Sequence, residues 1–178
     1  MTGAPQIRAE TRDDVAGIAA VASAAFGRPD EAELVAALRA DPAAWLPQLS
    51  LVAADGDAVV GHVLLSRAVL DGPRGGPAAA LAPVAVLPAR QGRGIGTRLV
   101  RAVLAAAAEA GERLVVVVGH AAWYPRFGFT SARAQGVEAP FPVDDDVWLA
   151  LDLQRDDPAA GPAPQGRVVY PPAFHRLP

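Results

Sequence analysis

The feature that most constrains this chain is an apolar strand that runs through a glycine-rich turn directly into a long helix, over residues 81–104. Gly92, Gly94 and Gly96 allow the backbone of the turn to approach a ligand closely, because glycine has no side chain and adopts backbone angles closed to other residues. The first N–H groups of the following helix have no partner within the helix and carry partial positive charge. The segment therefore predicts a cradle for a phosphate-bearing ligand.

Two common phosphate-binding motifs do not fit this turn. A Walker A loop needs a lysine beside Ser or Thr at the helix start, and all 16 basic residues of the chain are arginine. A dinucleotide-binding turn needs the spacing GxGxxG, but Thr97 stands where the third glycine is required. That fold also needs an acidic residue at the end of the next strand, which here ends in Gly119 and His120. An ATP-type P-loop is excluded, and a Rossmann-type site is disfavoured.

The spacing that does fit is Gln-x-x-Gly-x-Gly, formed by Gln91, Gly94 and Gly96. It resembles the acetyl-CoA motif of the GNAT superfamily of N-acetyltransferases. After the helix and the next strand, Tyr124 opens a Tyr-x-x-x-Gly-Phe segment that is similar to a second motif of the same superfamily. The order and spacing of the other elements agree over residues 7–153. Similar Gly-His and Tyr-Pro-Arg-Phe-Gly-Phe strings occur in a bacterial subgroup of predicted N-acetyltransferases without an obvious single substrate.

The resemblance implies an α/β fold in a single domain, which suits a chain of 178 residues. The expected architecture is a mixed, mostly antiparallel central sheet of about seven strands, flanked by helices and splayed at strands 4 and 5. We expect the acetyltransferase domain to cover residues 1–155 and a Pro/Ala/Gly-rich linker to cover residues 156–166. Residues 167–178 are expected to form an extended segment packed on or near the domain.

Apolar periodicity predicts the individual elements. Helical spacing covers residues 15–26, before Gly27, and residues 31–40, before a proline. Two apolar runs flank Asp55, Gly56 and Asp57, a composition typical of a β-hairpin. The remaining predicted elements are a strand over 79–87, a helix over 94–110, a strand over 114–118, a short helix over 121–127, and strands around Ser131 and over 147–153.

Pro83 interrupts the predicted fourth strand. A proline inside a central strand removes one ladder hydrogen bond, so it indicates a bulge or a local separation from a neighbouring strand. In the GNAT superfamily a splay at this point receives the pantetheine arm of the cofactor. The alternative is an edge-strand proline with no ligand beside it.

The resemblance implies acetyl-CoA as cosubstrate. Its pyrophosphate would bind the backbone amides of residues 91–97, with Arg93 adding positive charge and Arg90 or Arg98 as further candidates. Pantetheine would pair with the backbone of the fourth strand, and the amide of Val86 or a near neighbour would face the thioester carbonyl. The implied cofactor-binding residues are Val84, Ala85, Val86, Gln91, Gly92, Arg93, Gly94, Ile95, Gly96 and Thr97.

Tyr124 is the residue that we expect to act as general acid. A phenol has a reference pKa of about 10, so it is protonated at neutral pH and can donate to a departing thiolate. The match to the superfamily places Tyr124 beside the cofactor sulfur. The alternative is a purely structural tyrosine.

The usual general base of the superfamily is missing from this sequence. Many relatives use a glutamate on the fourth strand, but residues 79–82 read Ala-Ala-Leu-Ala and offer no carboxylate. His120 is the second catalytic candidate, because imidazole titrates near neutrality and could relay the amine proton through water. A hydrogen-bonded structural histidine is the alternative, and His62 on the third strand is a weaker candidate.

The acceptor pocket is implied only by analogy with the superfamily, where the first two helices and the turn between the last two strands form its walls. This points to Phe26, Trp45 and Phe141. The acidic residues 144–146 would attract a cationic amine or simply form a solvated surface. The implied activity is direct acetyl transfer, in a ternary complex, to a primary amine of a small molecule or peptide. A non-catalytic acyl-CoA-binding or sensor module is the alternative, because the strand glutamate is missing.

Composition narrows the partners further. The net charge of −3 and the lack of a basic stripe predict no nucleic-acid partner. The chain has no cysteine, which excludes an acyl-cysteine intermediate, and its three histidines lack ligand-like spacing, so we expect no metal. The start has no signal-peptide pattern and no apolar run approaches ~18 residues, which predicts a soluble cytoplasmic protein. The sequence does not decide whether the protein is a monomer or a homodimer, or whether the transferred acyl group is acetyl or longer.

Overall fold

A computed structural model describes residues 4–176 of the chain. Within this range the helices are α1 (Val15–Phe26), α2 (Asp30–Arg39) and α3 (Ile95–Glu109). The strands are β1 (Gln6–Ala9), β2 (Ser50–Asp55), β3 (Ala58–Asp71), β4 (Gly76–Val86), β5 (Leu114–Val118), β6 (Thr130–Ser131), β7 (Val137–Glu138), β8 (Trp148–Asp152) and β9 (Gly166–Val169). Short 3-10 helices lie at Arg12–Asp14, Pro47–Leu49, Pro88–Arg90, Tyr124–Phe127, Arg133–Gln135 and Pro172–Arg176.

The strands form one mixed sheet with the order β1-β2-β3-β4-β5-β8-β6. β4 and β5 are parallel, whereas the pairs β1/β2, β2/β3, β5/β8 and β6/β8 are antiparallel. β9 lies off this path and pairs with β3 and β7. The predicted fold class is confirmed: the main path is the mixed, mostly antiparallel sheet expected from the sequence. β7 is an addition that the sequence did not reveal, and β9 lies at the start of the segment that was expected to be extended.

The parallel ladder between β4 and β5 is short. It joins Ala79 to Val115 and Ala80 to Val116, while β4 continues to Val86. Pro83 lies in the part of β4 beyond this ladder, where the Ala82–Pro83 peptide bond is cis. A ladder that ends while the strand continues is the pattern required by a splay at strands 4 and 5.

Contacts divide the described chain into two compact units. The first consists of residues 4–66, 82–106 and 172–176, and the second of residues 67–81 and 107–171. The first unit therefore contains β1, β2, α1, α2, the turn after β4 and most of α3. The second contains β5 to β9 and the Tyr124 segment. The division into domain, linker and C-terminal segment stays a prediction.

The core of the first unit is aliphatic. α1 and α2 turn their apolar faces onto the sheet, and Gly17 of α1 approaches β3 so closely that an added Cβ would lie 2.9 Å from Val59 Cγ2. Gly27 ends α1 with φ 71°, as the sequence predicts. The cluster consists of Ile18, Val21, Leu34, Val35, Leu38, Ala44, Val52, Val59, Leu64, Ala85 and Ala173.

The second unit is organised around β5 and β8. Trp148 is fully buried, and its indole Nε1–H donates to the Val137 carbonyl at 2.9 Å. The Arg113 guanidinium holds Asp152 and also donates to the carbonyls of Ala160 and Gly161. The Pro/Ala/Gly-rich segment is therefore hydrogen-bonded to the end of the β5/β8 pair.

Two local differences from the sequence predictions have simple causes. The short helix expected over 121–127 is a 3-10 helix over Tyr124–Phe127, because Pro125 has no N–H to donate. β4 begins at Gly76 rather than at residue 79, since the glycine and proline there tolerate an extended backbone at a strand start. β5 matches its predicted limits of Leu114 and Val118.

Within residues 4–176, no helix is long and apolar enough to cross a bilayer. In the same range no three His, Asp or Glu side chains come together in a way that could hold a metal ion.

Candidate functional site

The turn between β4 and α3 owes its shape to two left-handed glycines. Gly92 has φ 71° and Gly94 has φ 76°, values that other residues adopt only with strain. A Cβ added at either position would meet no atom within 4 Å. Backbone conformation, not crowding, therefore requires glycine here, and the space in front of the turn is open.

Gln91 ties this turn to the end of β4. Its side-chain Nε2–H donates to the Val86 carbonyl at 3.0 Å. The N–H of the same peptide group belongs to Leu87 and donates to the Val60 carbonyl, also at 3.0 Å. Both ends of the peptide that follows Val86 are thus held in place.

The start of α3 packs closely against β3. A Cβ on Gly61 would lie 2.9 Å from Leu99 Cδ1 and 3.2 Å from Ile95 Cγ2, so glycine lets the helix approach the strand. The Arg98 N–H donates to the Gly94 carbonyl at 3.0 Å. The N–H groups of residues 95–97 precede this bond. They have no acceptor within the helix, because no helical carbonyl lies four residues before them.

The three candidate arginines differ in whether their side chains already have partners in the protein. Arg90 forms an ion pair with Asp55 at 2.8 Å, and Arg98 donates to the Pro5 carbonyl at 2.8 Å. Arg93 is exposed and makes no hydrogen bond or ion pair with any residue of the described range. Arg93 is therefore the arginine available to an anion at this turn.

The end of β4 presents backbone rather than reactive side chains. Ala85 is buried in the core of the first unit, and Val84 and Val86 are half-buried. The sequence of β4 contains no ionisable residue, so the structure provides no carboxylate on this strand.

In the second unit, Tyr124 opens the 3-10 helix after β5 and is 7% exposed. Its ring makes edge contacts with Trp123, at 4.9 Å between centroids, and with Phe129, at 5.5 Å. Burial raises the pKa of Tyr124 to about 12, so the phenol stays protonated through the neutral range. Its hydroxyl makes no hydrogen bond with the part of the chain that the structure describes.

The two candidate histidines have different surroundings. The His120 carbonyl accepts the N–H groups of Trp123 at 2.9 Å and Tyr124 at 3.3 Å, while its side chain is exposed and without a partner among residues 4–176. His62 is fully buried, and its Nε2 lies 2.9 Å from Ser50 Oγ. Because no part of His62 reaches solvent, direct proton transfer to a substrate is excluded for it.

His62 belongs to a buried polar cluster that sequence reasoning missed. The Glu10 carboxylate accepts hydrogen bonds from Arg39 and from the Ser50 hydroxyl, and it lies 3.6 Å from His62 Nε2. Burial opposes the charge on Glu10, but the nearby His62 and the hydrogen bonds from Arg39 and Ser50 outweigh it and lower the pKa of Glu10 to about 2. Burial lowers the pKa of His62, and its Nδ1 has no partner among the described residues. Polar residues inside the apolar runs of β2 and β3 were the available signal.

The acceptor-pocket candidates lie in different units. Phe26 is exposed at the end of α1, and Trp45 is half-buried with the Arg39 guanidinium 5.2 Å from its ring centroid. Phe141 belongs to the second unit, where it stacks on Tyr170 at 6.1 Å. The acidic residues 144–146 are exposed, and Asp145 pairs with Arg133, which is the arrangement of a solvated surface.

The chain is similar to known proteins over most of its length. Residues 6–132 match the acetyltransferase (GNAT) domain. The chain is 41% identical to the uncharacterized N-acetyltransferase YjhQ of Escherichia coli K12 over 147 residues, which cover 80% of this chain and 81% of YjhQ. It is 33% identical to the uncharacterized N-acetyltransferase YhbS of the same strain over 172 residues, 96% of this chain and 99% of YhbS.

Two solved structures resemble the chain in three dimensions. The GNAT family N-acetyltransferase YhbS of Escherichia coli, in complex with CoA, superposes with a TM-score of 0.85 at 31% identity, covering 98% of this chain and 94% of that chain. A GNAT family acetyltransferase of Brucella melitensis, in complex with acetyl-CoA, superposes with a TM-score of 0.73 at 35% identity, covering 95% of this chain and 97% of that chain.

Proposed function

The chain belongs to the GNAT acetyltransferase family, and from this premise we propose that it transfers the acetyl group of acetyl-CoA to a primary amine of a small molecule or peptide. The transfer is direct, within a ternary complex, and the chain has no cysteine that could carry the acetyl group as a thioester. The CoA and acetyl-CoA bound by the two similar structures support the choice of cosubstrate.

The observation that carries this proposal is the turn between β4 and α3. We assign the pyrophosphate of acetyl-CoA to the amides of residues 91–97, because they combine a backbone shaped by left-handed glycines with the positive end of a 15-residue helix. Open space in front of Gly92 and Gly94 leaves room for the phosphates. Arg93 adds a free cation, whereas Arg90 and Arg98 are engaged elsewhere.

The end of β4 is assigned to the pantetheine and thioester. The backbone groups of residues 84–86 would hydrogen-bond pantetheine, and the Val86 N–H would donate to the thioester oxygen as negative charge develops on it. The peptide after Val86 is held by Gln91 and by the Val60 carbonyl. These contacts fix the chain on the carboxyl side of Val86, next to the proposed donor, and a donor that needs little rearrangement when the charge appears favours the transition state.

The proposed chemistry follows from these groups. The uncharged amine attacks the thioester carbon, a tetrahedral oxyanion forms, and the C–S bond then breaks to release the CoA thiolate. Tyr124 donates its phenolic proton to that thiolate and regains a proton from solvent. The proton that the attacking nitrogen gives up leaves through water, with His120 as the proposed relay.

A raised pKa fits the role of Tyr124. At about 12 it keeps the donor protonated at any physiological pH. A thiol with a reference pKa near 8.5 is a good leaving group, so a weak donor is sufficient. Capture of an uncharged amine is a second demand beside proton donation to the thiolate, and we expect kcat/KM to rise with pH as the acceptor loses its proton.

Phe26, Trp45 and Phe141 stay proposed walls of the acceptor site, and the acceptor itself is defined only as a primary amine. Within the described range, Trp45 is the one of the three that a charged side chain holds in place, since Arg39 lies over its ring and is itself bound by Glu10. The alternative function, a non-catalytic acyl-CoA-binding module, is favoured by one observation, the lack of any ionisable residue on β4.

A thiol-release assay tests the proposal. Purified protein is mixed with acetyl-CoA and a panel of primary amines, from polyamines to peptide N-termini, and free CoA is measured against an amine-free blank. The chain contains no lysine, so no lysine side chain of the protein itself competes as acceptor. Amine-dependent CoA release establishes the enzyme. Tight acetyl-CoA binding with no release across the panel would support the binding module instead.

A further inference from the structure

The ring of Tyr124 lies directly on the backbone of Gly119, the residue that follows β5. A Cβ built on Gly119 would stand 2.0 Å from Tyr124 Cε2 and 2.5 Å from Tyr124 Cδ2. Carbon atoms in contact are ~3.5–4.0 Å apart, so no side chain fits between the two residues. Gly119 is not among the glycines with positive φ. The ring, not the backbone angle, therefore requires glycine at this position.

Both residues make further contacts that hold them in place. The Gly119 N–H donates to the Val147 carbonyl at 2.9 Å, and the preceding residue, Val118, pairs with Trp148 in the β5/β8 ladder. On its other sides the Tyr124 ring meets Trp123 and Phe129. The ring thus lies in a slot with Gly119 as floor and Trp123 as one wall.

Packing alone sets the direction of the phenol. The Tyr124 hydroxyl makes no hydrogen bond with residues of the described range, so no polar partner within that range orients it. The Tyr124 N–H donates to the His120 carbonyl at 3.3 Å, which anchors the backbone but leaves the ring to the slot. A displaced ring would carry its hydroxyl to a different place without breaking any hydrogen bond of that hydroxyl.

We propose that Gly119 is a positioning residue for acetyl transfer, and that together with Trp123 it sets where the hydroxyl of Tyr124 meets the leaving thiolate. This inference rests on the proposed function, in which Tyr124 is the proton donor. A side chain at residue 119 would displace the Tyr124 ring and move its hydroxyl. The residues of the β4–α3 turn are not changed by this substitution.

The test is a double-mutant cycle on kcat with acetyl-CoA binding as a parallel readout. General acids contribute on the order of 100-fold or more, so we expect Tyr124→Phe to lower kcat by about that factor. Gly119→Ala should lower kcat by at least about tenfold, since it misplaces the same group. The Kd for acetyl-CoA should stay within about twofold in both variants, because the proposed pyrophosphate site is untouched.

The combined variant separates positioning from general damage. Once Tyr124→Phe has removed the hydroxyl, adding Gly119→Ala should cause no further loss of kcat, because there is no donor left to misplace. Gly111→Ala serves as control: it also strains a glycine of the second unit, with φ 81°, but no atom lies within 4 Å of the added Cβ. We expect it to reduce stability and to leave kcat unchanged.

The outcomes distinguish this inference from the proposed function. Full turnover by Tyr124→Phe would remove Tyr124 as donor and overturn the inference with it. A large loss in Tyr124→Phe with full kcat in Gly119→Ala would overturn the inference alone. A loss of equal size when Gly119→Ala is added to Tyr124→Phe would show a merely structural role. If Gly119→Ala does not fold, Trp123→Leu replaces it, because it removes another contact of the same ring. A loss of kcat from Trp123→Leu that is equally large in the Tyr124→Phe background would overturn the inference.

Discussion

Glycine serves opposite purposes in the two regions that the proposed reaction uses. At the β4–α3 turn, Gly92 and Gly94 have left-handed backbone angles and open space around them. At the end of β5, Gly119 has no left-handed angle but lies against an aromatic ring. In the first region backbone N–H groups are exposed, which suits a charged ligand. In the second region side-chain packing fixes the Tyr124 ring, which suits the positioning of its hydroxyl. Substitutions at the turn should therefore weaken acetyl-CoA binding, whereas substitutions around Tyr124 should lower kcat.

The largest effect is expected from Gly94→Val, which would separate binding from chemistry. A β-branched side chain is poorly compatible with φ 76° and projects into the space assigned to the phosphates. Loss of two charge-assisted hydrogen bonds, at about 1.5 kcal/mol each, corresponds to a Kd for acetyl-CoA weakened by about 100-fold. Isothermal titration measures this change, and circular dichroism checks the fold. Unchanged affinity in a folded Gly94→Val variant would place the cofactor elsewhere.

Tyr124→Phe should produce the converse pattern. Removal of the proton donor is expected to lower kcat by about 100-fold while the Kd for acetyl-CoA stays nearly constant. Steady-state thiol release and titration together give both quantities. A variant that bound acetyl-CoA normally and turned over at the full rate would reduce Tyr124 to a structural residue.

Arg93→Ala should have a smaller effect, confined to binding. Exposed ion pairs contribute about 0.2–1 kcal/mol, so the Kd for acetyl-CoA should weaken by at most about fivefold, and less at high salt. Arg101→Ala is the matched control, because Arg101 lies on α3 and, like Arg93, is exposed and has no partner among the described residues. Equal weakening by the two variants would indicate a general charge effect rather than a contact at the turn.

The buried Glu10 cluster should affect stability alone. Burial holds the pKa of His62 below its usual 6.5, so its contribution to stability is complete above pH 6.5 and is lost as the pH falls below that value. The pKa of Glu10 is lowered from 4.5 to about 2, so its contribution is complete above pH 4.5 and is lost as the pH falls toward 2. Urea unfolding between pH 8 and pH 3 checks both transitions.

His62→Gln tests the first of these transitions. The variant should lose the decline in unfolding free energy that begins at pH 6.5 and keep the decline below pH 4.5, while its Kd for acetyl-CoA is unchanged. A wild-type stability that stayed constant from pH 8 to pH 5 would show that His62 keeps its ordinary pKa in the folded protein.

The sequence predicted those parts of the molecule in which neighbouring residues act together. β5 is a run of five apolar residues bounded by Arg113 and Gly119, and its limits were found because the signal is local. The turn at residues 91–97 could be found for the same reason, since its glycines act through the backbone angles of that segment. These features depend on spacing, and spacing is visible in a sequence.

Contacts between distant residues could not be predicted in the same way. The Glu10 cluster draws its members from β2, β3, α2 and the residue after β1, and no periodic pattern links them. Engagement of Arg90 by Asp55 depends on where the β2–β3 hairpin lies, which the sequence does not specify. The two-residue strand β7 is too short to show alternation. The contact of Gly119 with Tyr124 required the packed ring.

The most direct test of the central claim is calorimetric titration of the purified wild-type protein with acetyl-CoA. We predict saturable binding with one site per chain, weakened by about 100-fold in Gly94→Val and retained in Tyr124→Phe. Absence of binding at about 1 mM acetyl-CoA, an affinity weaker than about 4 kcal/mol, from a sample shown to be folded would contradict the proposed role of the β4–α3 turn.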